Sequence, residues 1–234
     1  MAIYLDTGNI SEIERFHRMG IIRGVTTNPT ILLSENIVGG LPGIKTRIKD
    51  IARLIDPYPL SVEVTTPERE KVIQQALEFA SWATNIVVKV TIHGPNGELE
   101  NVEIIHELET QHHIHINATA AMSAQQCFLA ALAGASYTSL FAGRINNMGY
   151  NACGEIARLR KLLDLFDLKT QIIAGSTREV LNVLEWLEAG AHVITVVPKI
   201  LEAMLVHPYT KETVQMFLRD AAIAETKAHP KVER

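Results

Sequence analysis

The sequence predicts a (β/α)8 barrel, and three observations carry that expectation. Eight short apolar runs rich in Val, Ile and Leu punctuate the chain, at residues 2–6, 22–26, 60–64, 86–90, 114–119, 137–142, 171–176 and 192–197. Runs of that kind suit strands buried on both faces. Amphipathic helical sequence fills the gaps, and alternating strands and helices imply parallel strands with right-handed crossovers. The length, 234 residues, sits close to the roughly 250 typical of a TIM barrel with few insertions. A doubly wound open sheet is the competing architecture; eight strand–helix units favour closure.

The elements can be justified in chain order. Residues 34–43 hold three glycines but lack the Gly-Lys-Ser/Thr ending of a phosphate-binding loop, so they read as a connector. After the third run, Thr66-Pro67 offers an N-cap and a first-turn proline, and Val72, Ala76, Phe79 and Ala83 then share one helical face. Ile156, Leu159, Leu163 and Phe166 form a second such face, and Val180, Leu184 and Leu187 a third. Gly134 and Gly190 are placed to end helices just before a strand. Trp82 and Trp186 fall in helical sequence as packing residues. Residues 210–227 form an additional C-terminal helix beyond the eighth strand. Its apolar face (Val214, Phe217, Ala221) is expected to cover the barrel bottom or pack on a neighbouring subunit. No linker or low-complexity tract divides the chain, so residues 1–234 read as one domain.

Composition excludes several classes. Forty-seven per cent hydrophobic residues is too apolar for a disordered chain, and two cysteines cannot build a disulfide framework. Twenty-two basic against 26 acidic residues leave no footprint for nucleic acid or an anionic membrane. The N-terminus lacks a secretory signal, and no apolar run approaches the roughly 18 residues of a membrane span. A cytoplasmic protein is the expectation, with Cys127 and Cys153 as reduced packing residues. It also makes the Asn117-Ala118-Thr119 glycosylation match accidental. His112, His113 and His115 straddle a helix end and a strand start, so their side chains should diverge and hold no metal.

In a barrel, chemistry gathers at the C-terminal strand ends. Those positions are Asp6, Thr26 to Asn28, Glu63, Lys89, Asn117, Thr119, Ser139 and Ser176. Asp6, Glu63 and Lys89 stand out as ionisable groups in apolar sequence. Lys89 sits in Ile86-Val87-Val88-Lys89-Val90, where a solvated ammonium has no obvious exit, and burying it unpaired costs several kcal/mol. Two resolutions stay open: a permanent ion pair with Asp6 or Glu63, or a desolvated neutral amine that attacks a carbonyl. Arg144 and Arg178 follow the sixth and seventh strands. With Ser176 and local backbone amides they form a candidate phosphate site; the alternative is a pair of solvated loop arginines.

Leu5-Asp6-Thr7, Gly24-Val25-Thr26-Thr27-Asn28-Pro29-Thr30, Val87-Val88-Lys89-Val90, Ala133-Gly134-Ala135, Gly143-Arg144-Ile145 and Ala174-Gly175-Ser176-Thr177-Arg178 occur in that order. Over roughly residues 1–220 the chain resembles the transaldolase family, in particular the small subfamily that also contains the fructose-6-phosphate aldolases. The resemblance implies a class I, Schiff-base enzyme of carbohydrate metabolism that needs neither metal nor organic cofactor. It aligns Lys89 with the Schiff-base lysine and Asp6 with the acid/base acting on a substrate hydroxyl. It aligns Glu63 and Thr119 with the pair that positions a catalytic water. Thr26, Asn28, Asn117, Ser139 and Phe141 fall on the substrate pocket, and Arg144, Ser176 and Arg178 on the phosphate set. Family members of this size often form homo-oligomers, decamers of two stacked pentamers.

Two positions separate the activities. Where the aldolases carry glutamine and tyrosine, this chain has Glu63 and Phe141. The implied reaction is therefore transfer of a dihydroxyacetone unit from sedoheptulose 7-phosphate or fructose 6-phosphate to glyceraldehyde 3-phosphate or erythrose 4-phosphate. Fructose-6-phosphate cleavage to free dihydroxyacetone is the alternative, and a non-catalytic sugar-phosphate binding barrel a more distant one. The chain departs from the family pattern at Val90-Thr91-Ile92-His93, which lacks the usual proline, and at Asn146-Asn147, which replace an acidic pair. It departs again at Ala118, Ala120 and Ala121, where bulkier residues are common. These departures bear on the preferred substrate before they bear on the chemistry.

Overall fold

The computed structural model describes residues 2–35, 37 and 39–228. Eight strands, β1 (Ile3–Asp6), β2 (Val25–Thr26), β3 (Leu60–Glu63), β4 (Ile86–Thr91), β5 (Ile116–Ala121), β6 (Tyr137–Leu140), β7 (Gln171–Ala174) and β8 (Val193–Val196), close into a barrel in sequence order. Every neighbouring pair is parallel, and β8 returns to β1 through Ile3–Ile194, Tyr4–Thr195 and Leu5–Val196. Closure satisfies the edges that an open sheet would leave exposed. All eight apolar runs coincide with a strand; β4 and β5 extend past the end of their runs, and the other six are shorter than theirs.

Helices α1 (Ile10–Arg18), α2 (Pro29–Ser34), α3 (Gly40–Ile55), α4 (Arg69–Ala80), α5 (Glu100–Thr110), α6 (Ala124–Leu132), α7 (Ala142–Asn147), α8 (Ala152–Leu165), α9 (Val180–Glu188) and α10 (Pro198–Leu205) surround the barrel; α11 (Pro208–Ala228) follows. Several start at side-chain caps. Asn9 accepts the N–H groups of Ser11 and Glu12, Asn28 that of Ile31 ahead of Pro29, and Asn151 that of Gly154. Gly134 and Gly190 turn into β6 and β8 with φ of 100° and 108°, values that favour glycine. The main core lies between strands and helices. A separate cluster of Tyr4, Ile173 and Val193, with Tyr137 against it, fills the barrel interior. Gly24 makes room there, because a Cβ at that position would sit 2.7 Å from the Tyr4 ring.

Five local expectations are corrected. The connector at 34–43 is shorter, because α3 already begins at Gly40; residues 36 and 38 of it lie outside the described residues. Thr66-Pro67 does not cap α4, which starts at Arg69 behind Glu68, and the Thr66 hydroxyl donates to the Glu68 carboxylate instead. Ala83 falls beyond that helix. Phe166 is the C-cap of α8 and half exposed, its ring beside Phe128 at 5.5 Å. On α9 the buried face is Asn182, Val183 and Trp186, while Val180 and Leu184 face solvent. The buried Asn182 side chain accepts the Arg178 and Glu179 N–H groups, and Trp186 fills the core.

On α11, Val214, Phe217 and Ala221 are exposed and do not cover the barrel bottom. Among the described residues no helix is long and apolar enough to cross a membrane. Cys127 and Cys153 are free thiols.

One interstrand brace was invisible in the sequence. A single Glu109 carboxylate oxygen accepts the N–H of Ile116 at 2.7 Å and of Ser136 at 2.6 Å, tying β5 to the approach of β6. Removing a charged acceptor strands both donors, so Glu109→Ala is expected to lower unfolding free energy in urea by about 3 kcal/mol. Glu109→Gln retains an acceptor oxygen and should lose less than half of that.

Candidate active site

Barrel register brings the ionisable strand ends together. Glu63, Lys89 and Asn117 are paired residues across β3, β4 and β5, and Asp6 pairs with Thr26 across β1 and β2. Lys89 is 5% exposed. Its Nζ lies 2.9 Å from a Glu63 oxygen and donates to the Thr27 carbonyl at 2.8 Å. The ammonium is thus paired, with Glu63 rather than Asp6, as a buried charge requires.

Asp6 accepts a hydrogen bond from the Thr26 hydroxyl at 2.6 Å. Burial pushes its pKa up, and Glu63 adds to that; the Thr26 hydrogen bond and the Lys89 charge pull it back only in part. Asn117 is oriented from two sides: Ser139 donates to its Oδ1 at 2.8 Å, and its Nδ2 donates to Ser61 at 3.3 Å. The Thr119 hydroxyl is buried without a hydrogen-bond partner. Just beyond it the strand period breaks. Register shifts between Ala118 and Ala121, and Ala120 takes φ of 59°, uncommon for a residue with a side chain. Small residues at these positions suit that bulge.

A second cluster forms where α7 meets the loop after β7. Gly143 donates to the Gly175 carbonyl at 3.2 Å, and a Cβ on Gly143 would stand 1.7 Å from the Ser176 carbonyl oxygen. Ser176 itself has φ of 61°. This close approach brings Arg144 on α7 to the same cavity as Ser176 and Arg178. Among the described residues neither arginine has a carboxylate partner, and the Arg144 guanidinium lies 5.2 Å from the Phe141 ring centroid. Asn146, in place of an acid, accepts the Ala152 N–H and ties α7 to the start of α8.

A cavity of about 180 Å³ joins the two clusters. Asp6, Thr26, Asn28, Lys89, Thr119, Ser139, Phe141, Arg144, Ser176 and Arg178 all line it. Glu63 and Asn117 stand behind that wall, reached through Lys89 and Ser139. Elsewhere, His113 takes φ of 54° and His115 turns to the Ser136 hydroxyl. Among the described residues no group of three or more His, Cys, Asp or Glu could hold a metal ion. Burial pushes the Cys127 thiol up to about 12 and also raises Cys153, so neither is poised as a nucleophile.

The sequence profile of the transaldolase/fructose-6-phosphate aldolase family matches residues 3–233. The chain belongs to that family. A protein of Listeria monocytogenes named "Probable transaldolase 2" is 38% identical over 220 residues, 94% of this chain and 95% of that protein. A "Probable transaldolase" of Dehalococcoides mccartyi is 34% identical over the same length, 94% of this chain and 97% of its own. Among solved structures, a thiamine phosphate pyrophosphorylase from Pyrococcus furiosus superposes with a TM-score of 0.53 at 16% identity. It covers 84% of this chain and 85% of its own, a likeness of fold alone.

Sequence reasoning missed three features of this family member's site. The Thr27 carbonyl that receives the lysine is a backbone atom. Thr177 and Thr195 line the cavity, and Thr177 donates to the Thr195 carbonyl at 2.7 Å. The signal for Thr195 was present: it lies two residues before the end of the eighth run, facing the same way as the run's last position.

Gly143 offers a direct check on the join. Gly143→Ala forces backbone against backbone, so thermal melts should show a loss of about 2 kcal/mol or more. The KM for a phosphorylated substrate should rise at least tenfold as Arg144 is displaced.

Proposed function

We propose that this chain is a class I transaldolase whose Schiff base forms on Lys89. The observation that carries the reading is a buried lysine held beside a carboxylate, sharing one cavity with Asp6 and with two arginines that have no carboxylate partner among the described residues.

The chemistry follows from those groups. Lys89 gives one proton to Glu63, the neutral amine attacks the C2 carbonyl of a ketose phosphate, and that proton returns through a water held by Glu63 and the Thr119 hydroxyl to the departing hydroxide as the iminium forms. Asp6, as carboxylate, removes the C4 hydroxyl proton. The C3–C4 bond breaks, its electron pair enters the iminium, and an aldose phosphate leaves. The three-carbon enamine stays on Lys89 until an acceptor aldehyde captures it by the reverse steps. Arg144, Ser176 and Arg178 hold the phosphate, Asn28, Ser139 and Thr26 the substrate hydroxyls, and Asn117 orients Ser139 from behind the wall.

Phe141 decides between transfer and simple cleavage. A tyrosine hydroxyl there would hold a water to protonate the enamine. Phenylalanine presents an apolar wall, supported on one side by the Arg144 guanidinium. The enamine therefore persists until an aldehyde arrives. The exposed apolar face of α11 supports a homo-oligomer assembled through that helix.

Two measurements check this reading. With fructose 6-phosphate as donor, glyceraldehyde 3-phosphate release should depend on added erythrose 4-phosphate; equal release without acceptor identifies an aldolase. Glu63→Gln combined with Phe141→Tyr should shift the products toward free dihydroxyacetone. The pH profile adds a sign. Asp6 must be ionised to act and its pKa is raised, so kcat/KM should climb with pH through a limb above the ordinary carboxylate range.

A further inference from the structure

We infer that Thr195, on β8, is a positioning residue for Asp6, acting through Thr26 as the outer member of a hydroxyl chain that ends on the carboxylate. The inference rests on the role proposed above for Asp6, and it concerns a residue that no part of that reaction uses.

The direction of the chain follows once Asp6 is ionised. Thr26 Oγ1 contacts both Asp6 Oδ1 and Thr195 Oγ1 within hydrogen-bond distance. An ionised carboxylate only accepts, and a hydroxyl has one proton. Thr26 therefore gives its proton to Asp6, and Thr195 must donate to Thr26. Thr195 is almost fully buried and lines the same cavity as Asp6. Its backbone is held in turn, because Tyr4 and Thr195 are paired across β1 and β8, and Thr177 donates to its carbonyl. The closing seam of the barrel thus delivers a hydroxyl to the back of the Thr26–Asp6 hydrogen bond.

A donor behind a donor matters in a desolvated site. When Thr195 donates to Thr26, the Thr26 hydroxyl becomes more polarised and a stronger donor to Asp6. A stronger donor favours the ionised carboxylate, the form that takes the substrate proton. The charged groups acting on Asp6 are Lys89 on β4 and Glu63 on β3, with opposite signs. Arg144 and Arg178 share the cavity. From β8, the contact to this network is the Thr195 hydroxyl. Without it, Thr26 keeps its bond to Asp6 but loses its own donor, and the carboxylate holds its proton to higher pH.

The test is a titration of Asp6 itself in the full-length protein, by carboxyl-carbon NMR of 13C-aspartate-labelled samples. The Asp6 resonance is assigned by its loss in Asp6→Asn. Thr195→Val is expected to raise the Asp6 midpoint by about 0.5 pH unit or more, and Thr195→Ser to restore the wild-type midpoint. Thr195→Ala carries the same expectation as the valine variant should the latter not fold. Superimposable titrations of wild type and the hydroxyl-free variant would overturn the inference, as would a serine variant that follows valine. This readout needs no turnover, so it decides the hydroxyl chain even where the acceptor-dependent assay fails. Where that assay succeeds, the acid limb of kcat/KM must move by the same amount as the NMR midpoint.

Discussion

The contact on which the site depends is the buried pair between Lys89 and Glu63. A charged ammonium at the end of β4 is tolerable only because a carboxylate lies 2.9 Å away and a backbone carbonyl accepts a second proton at 2.8 Å. Removing one member of such a pair leaves a desolvated charge, at a cost on the order of 3–5 kcal/mol. The pair in turn depends on closure of the barrel. Glu63 and Lys89 meet because β3 and β4 are in parallel register, and the Thr27 carbonyl reaches Nζ from the end of β2. Stability and reactivity share one geometry here. The carboxylate beside the ammonium favours its charged form, so in the reaction proposed above Lys89 must pass a proton to Glu63 before it attacks a carbonyl.

Around that pair the site is built from positions where a side chain is either satisfied from behind or left open toward the cavity. Asn117 is held by Ser139 and Ser61, and Asp6 by Thr26. Thr119, Arg144 and Arg178 are open groups that line the cavity: a buried hydroxyl without a partner and, among the described residues, two guanidinium groups without carboxylates. Buried polar groups are ordinarily satisfied, so an unpartnered hydroxyl beside a charged cavity marks where water or substrate completes the structure. Two of the four non-glycine residues with positive φ among the described residues lie in this region, at Ala120 and Ser176; the other two are His113 and Asp167. Ser176 lines the cavity itself, and Ala120 follows Thr119, which does.

Much of this was legible in the amino-acid order. The eight apolar runs located every strand, because parallel strands covered on both faces cannot be polar. Lys89 announced itself as a cation with no exit. Its partner was not legible: Asp6 and Glu63 were equal candidates until the register of β3 and β4 chose Glu63. Nor was the rotation of α9, since its sequence is apolar on more than one face and the bulk of Trp186 decided it. Backbone groups were silent throughout. The Thr27 carbonyl and the Gly143–Ser176 approach are consequences of closure that no side-chain pattern encodes. Thr195 was hidden for a different reason: the eighth apolar run ends in the aliphatic Val197, and the hydroxyl two positions earlier lies inside the run rather than at its end.

The central claim is covalent, so a covalent measurement tests it most directly. Wild-type protein incubated with fructose 6-phosphate, reduced with borohydride, digested and sequenced by mass spectrometry should carry a three-carbon dihydroxyacetone-derived adduct on Lys89. Folded protein that binds the sugar phosphate but yields no adduct, or an adduct on another lysine, would contradict the account.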